Sequence, residues 1–124
     1  MKEKPYQVEY SEDAGIITIM ITGTTYGPNG DAIAQEVTKI EEELKPRLLL
    51  IDSRKAVGRA DFSTTFGQIK KYHTQYKYSA PKTAVLELAE NESIFSFHET
   101  ASRNAGLNIR FFSNKEDAIA WLKA

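Results

Sequence analysis

At 124 residues the chain has the length of one domain, large enough to bury a core without staples. It contains no cysteine, which excludes disulfides, zinc-thiolate sites and thiol catalysis, and only two histidines, which argues against a transition-metal centre. A net charge of −1 argues against general nucleic-acid affinity, no apolar run approaches the roughly 18 residues that span a bilayer, and the start, MKEKPYQ, lacks the apolar core of a signal peptide, so the expectation is a cytoplasmic chain without a transmembrane segment.

In chain order, Tyr6, Val8 and Tyr10 alternate with Gln7 and Glu9, the period of a half-exposed strand at a sheet edge. Residues 11–15 read as a polar turn, and the β-branched run 16–22 as a strand returning antiparallel. Gly23, Gly27, Pro28 and Gly30 then break the chain. The stretch 23–27 lacks the lysine and spacing of a P-loop and reads as a connector. From Asp31, the residues Ile33, Val37, Ile40 and Leu44 fall at helical spacing with acidic residues between them, and Pro46 ends that helix.

Leu48, Leu49, Leu50 and Ile51 show no alternation, as expected of a central parallel strand covered on both faces. The spacing predicts that this strand stops at Asp52. Asp52, Ser53, Arg54, Lys55, Arg59 and Asp61 then fall in the turn at its carboxyl end, where open α/β sheets form ligand crevices. A second helix is predicted from about Asp61, with the hydroxyls of Ser63, Thr64 and Thr65 in its first turn beside arginines. That chemistry suits an anion, and it equally suits plain capping. Phe62, Phe66, Ile69, His73 and Tyr76 make its apolar stripe. Tyr72, Tyr76 and Tyr78 cluster near its end and either line an apolar pocket or pack as core and rim.

Residues 82–88 supply a further strand, and 89–93 a turn and cap. The next helix packs through Ile94, Phe97, Ala101 and Ala105, with Gly106 at the left-handed cap position. Residues 108–112 form the last strand. Ser113 and Glu116 make a capping box that opens a final helix facing inward through Ala118, Trp121 and Leu122. The order β-β-α-β-α-β-α-β-α implies an α/β fold: a single open, mostly parallel five-stranded sheet entered through an antiparallel hairpin and covered by four helices. No repeat, linker or low-complexity tract divides residues 1–124, which read as a single domain.

Charge is uneven. Residues 1–44 hold 3 basic and 9 acidic side chains, residues 45–82 hold 9 and 2, and residues 83–124 hold 4 and 6. The basic middle third contains the central strand, its loop and the second helix. It is either a surface for an acidic protein, phosphate or lipid headgroup, or a solvated face balanced by the acidic first helix.

The order and residues resemble STAS domains, the fold of anti-sigma-factor antagonists, and in particular stand-alone relatives that share features with CRAL-TRIO lipid-binding domains. The resemblance rests on IITIMITG, RLLLIDSR, KTAVLEL and NIRFFSNKEDAIAWLKA and covers nearly the whole chain. In the antagonists an Asp-Ser-Ser-Gly sequence starts the second helix, and its first serine is phosphorylated. The resemblance places Asp61 at the aspartate, Phe62 at the acceptor serine, Ser63 at the second serine and Thr64 at the glycine. The acceptor is therefore missing, and a hydroxyl one position on is rotated about 100° around the helix. Asp52 and Ser53 are a weaker match at the strand end.

The expected function is a non-catalytic regulatory or binding module. It acts on a protein partner through Asp52, Ser53, Arg54, Arg59, Asp61, Phe62, Ser63 and Thr64 with an adjoining basic face. The alternative is binding of a small anionic or lipid ligand at the start of the second helix, with Tyr72 and Tyr76 against its apolar part. No cofactor or metal is expected. A catalytic set of Asp61, Ser63 and His73 fails on geometry, because ten residues on one helix separate Ser63 from His73 by roughly 15 Å. The edge at Tyr6 to Tyr10 offers a route to a homodimer, which Glu9 and the nearby lysines oppose.

Overall fold

A computed structural model describes residues 5–25, 28–58 and 78–124 of the chain. The predicted second helix, with Arg59, Asp61, Phe62, Ser63, Thr64, Tyr72 and Tyr76, lies outside the described residues. Strands β1 (Tyr6–Asp13), β2 (Ile16–Thr24), β3 (Leu48–Val57), β4 (Lys82–Leu86) and β5 (Ile109–Phe112) form one sheet in the order β1-β2-β3-β4-β5. The β1–β2 pair is antiparallel and the other three pairs are parallel, so β3 is central, as its unbroken apolar run requires. Helices α1 (Pro28–Leu44), α2 (Glu92–Asn104) and α3 (Lys115–Lys123), with a short 3-10 turn at Ala89–Asn91, complete the described residues. No described helix is long and apolar enough to cross a membrane.

The layers follow from the pleat. Leu49 is fully buried on one face among Ile17, Ile19, Ile21 and Ile33, under α1. Leu50, its neighbour, is buried on the other face with Ile16, Ala84, Leu86, Ala118 and Leu122, under α3. The α2 helix lies on the α1 side, where Phe95 stacks on Phe111 of β5 at 5.6 Å between ring centroids.

Several boundaries differ from the sequence reading, each for a local reason. The hairpin turn contracts to Ala14 and Gly15, both at positive φ (53° and 79°), the two-residue geometry that matches strand twist. The first helix starts at Pro28, whose missing amide is harmless in a first turn. Leu44 is 40% exposed, because the helix ends there: Pro46 disfavours helical backbone at Lys45, which turns left-handed at φ 46°. The last helix is capped by Asn114, whose side chain accepts the Asp117 amide, and not by Ser113. Gly106, at φ 85°, closes α2 as expected, with Leu107 N–H donating to Ser102 and Gly106 N–H to Arg103.

Candidate functional site

The carboxyl end of β3 is where the structure departs most from the sequence. Asp52, Ser53, Arg54 and Lys55 are not in a turn, because β3 continues to Val57. Pairing with β4 ends at Asp52 opposite Leu86, but β2 runs on to Thr24 and pairs Lys55, Ala56 and Val57 with Thr22, Gly23 and Thr24. Between Met20–Asp52 and Thr22–Lys55 the register shifts, so Ser53 and Arg54 together oppose Ile21. This bulge re-aims the side chains on either side of it. Gly23 is held at φ 91°, where an added Cβ would stand 2.3 Å from the Pro5 carbonyl oxygen.

Asp52 is 8% exposed. Arg54 reaches back to it with Nε on Oδ1 at 3.0 Å and Nη2 on Oδ2 at 2.9 Å, and its backbone amide also donates to Oδ1 at 3.1 Å. Burial pushes the Asp52 carboxyl up, but these hydrogen bonds and the charges of Arg54 and Lys115 outweigh it and hold the carboxyl below its ordinary range. Arg54 is thus already occupied by a carboxylate within the chain.

Ser53 tethers the next strand. Its hydroxyl donates to the Leu86 carbonyl at 2.9 Å and lies 3.4 Å from Glu87 Oε2. Glu87, 4% exposed, accepts the Leu88 amide at 2.9 Å and the Asn91 side-chain amide at 3.4 Å. One polar chain therefore links the end of β3 to the end of β4 and the turn before α2. Beyond the bulge, Thr25 N–H donates to the Val57 carbonyl at 2.9 Å and its hydroxyl to the Gly58 carbonyl at 2.6 Å. The exit from β3 toward Arg59 is fixed on both sides.

Glu87, Asn91 and Lys115 were not singled out in the sequence. Glu87 did carry a signal, being an acid inside the apolar run KTAVLEL. Lys115 carried none, since only the return of α3 under β3 brings it near Asp52. The described basic residues of the middle third divide between the two ends of the sheet. Lys45, Arg47 and Lys82 lie at the amino ends of β3 and β4, and Arg54 and Lys55 toward the carboxyl end. Arg47 and Lys55 are separated by roughly 25 Å of strand. Lys45 pairs with Glu42 at 3.3 Å, and Lys82 donates to the carbonyls of Trp121 and Ala124 at the end of α3.

His98 packs edge-on to Phe111 at 6.1 Å between ring centroids, on the α2 side. No group of three or more histidine or acidic side chains among the described residues is arranged to hold a metal.

No family model and no curated protein matches the sequence. Among solved structures, the chain is similar to an anti-sigma factor antagonist from Mycobacterium paratuberculosis, with a TM-score of 0.66 at 12% identity over 96% of this chain and 95% of that one. It is also similar to a protein of the DUF3478 family with a SpoIIAA-like fold from Shewanella loihica, with a TM-score of 0.61 at 15% identity over 98% of each chain. The chain has a STAS-like fold, in agreement with the resemblance drawn from its sequence.

Proposed function

We propose that this chain, which has the fold of an anti-sigma factor antagonist, is a non-catalytic regulatory module that binds a protein partner through residues 52–64. The observation that carries the reading is the anchored exit of β3. A docking surface gains affinity when its base is ordered before the partner arrives, and here Asp52–Arg54, Ser53–Leu86 and Thr25–Gly58 fix that base. With Phe62 at the position of the acceptor serine, partner binding is not switched by a phosphate on that residue.

The test is a photo-crosslinking residue placed at position 63 in cells, followed by mass spectrometry. A single protein adduct is expected, lost in Arg59→Ala and retained in Lys123→Ala at the far end of α3, by the amino ends of the parallel strands. An adduct indifferent to Arg59 would place the contact elsewhere. A purified chain that yields no adduct but retains a small molecule in native mass spectrometry, released by organic extraction, would favour the anionic or lipid ligand, with Tyr72 and Tyr76 as the next positions to change.

A further inference from the structure

The two edges of the sheet are treated differently. At β5 the carboxylate of Glu99, on α2, accepts the Phe111 amide at 2.8 Å, so one outward donor of that edge is already occupied. At β1 no described element lies beyond the strand. The antiparallel register resolves which groups are exposed. Thr24 N–H donates to the Pro5 carbonyl, so the inward pairs with β2 fall on the odd residues 5, 7, 9, 11 and 13. Val8, Tyr10 and Glu12 therefore turn their amides and carbonyls outward, and no described residue bonds those groups outside the hairpin. Tyr10 is 56% exposed beside them.

The charge selects an occupant. Within Tyr6–Asp13 there are three acids, Glu9, Glu12 and Asp13, and no base, and the flanking α1 carries Asp31, Glu36, Glu41, Glu42 and Glu43 against Lys39 alone. A second copy pairing edge to edge would line six carboxylates along one short ribbon, and like charges across strands are destabilising. Opposite charges across strands are favourable, and an added strand supplies its own backbone ladder.

We propose that the β1 edge is a second binding surface, which takes up an extended basic segment of a protein partner as a sixth strand. Its lysines or arginines lie opposite Glu9 and Asp13, and an apolar side chain lies against Tyr10. This surface is separate from residues 52–64 and does not depend on how they act.

The probe is a fluorescein-labelled heptapeptide of alternating lysine and valine, titrated by anisotropy. Its glutamate-for-lysine counterpart and a version with central proline serve as controls. Saturable binding of the lysine peptide alone is expected, weakened by salt. Amide exchange should slow at Val8, Tyr10 and Glu12 and stay unchanged at Gln7 and Ser11. Tyr10→Pro removes an outward amide and leaves the β1–β2 ladder whole, so it should fold and lose binding. Glu9→Lys and Asp13→Lys should each weaken binding roughly five-fold, and they decide the matter if the proline variant melts early. Equal binding of the proline-containing peptide, protection elsewhere than β1, or a dimer in sedimentation with no peptide uptake would overturn the proposal.

Discussion

Asp52 and Arg54 hold each other at the base of the candidate surface, and their contribution is set by pH. Asp52 titrates below its ordinary value of 3.8, so the stabilisation it gives is complete above that value and is lost as pH falls through the lowered one. Arg54→Ala should raise the acid-unfolding midpoint and destabilise the protein at pH 7 by about 1–2 kcal/mol. That figure is discounted because the Arg54 side chain is 38% exposed. Asp52→Asn should flatten the same limb of a melting-temperature profile. A profile unchanged in both variants would show that the fork adds nothing to stability. At Gly23 the constraint is steric. Gly23→Ala forces a Cβ into the Pro5 carbonyl at positive φ and should cost about 2 kcal/mol or more in denaturant unfolding.

Among the elements, the end of α1 is joined to the entry of β4 by two carboxylates: Glu42 accepts the Tyr78 amide at 3.0 Å and Glu41 the Ala80 amide at 2.6 Å. Burial pushes the Glu41 carboxyl up and the Glu42 charge adds to this, while the Ala80 amide opposes them. Its sign is therefore opposite to that of Asp52. The favourable contribution of Glu41 is complete below its ordinary value of 4.5 and is lost as pH rises through the raised one. Glu41→Gln keeps an acceptor for Ala80 without the charge and should be neutral or stabilising at pH 7. Glu41→Ala leaves a buried amide unmet and should cost about 1–2 kcal/mol by urea unfolding. The cap of α3 gives a second pair: Asn114→Ala should cost about 1 kcal/mol and Ser113→Ala little, the reverse of what a Ser113 capping box would produce.

For the molecule as a whole, the fold was legible because pattern and packing agree. Leu48 to Ile51 could only be a strand covered twice, the hairpin was written in β-branched residues, and Gly106 marked the end of α2. What stayed hidden depends on partners distant in sequence. The sequence places Asp52 at a strand end because charge follows an apolar run. The strand goes on because β2, more than twenty residues earlier, still offers Thr22 to Thr24 for pairing. The link from Ser53 to Glu87 likewise needs two strands laid side by side before either residue has a meaning.

The β1–β2 hairpin closes through two residues, whereas each parallel pair joins segments about thirty residues apart, with a far larger loss of chain freedom to close. A hairpin forms in microseconds, and parallel pairing is intrinsically slower. The order of assembly should therefore run from the amino terminus inward. During synthesis the hairpin can form while β3 is still within the ribosome, and β3, with apolar residues on both faces, is the segment that must wait longest for cover. A pulse-labelling experiment should find the amides of Thr18 and Met20, which bond β1, protected before those of Leu49 and Leu50, and a chaperone that meets the emerging chain should bind across Leu48 to Ile51.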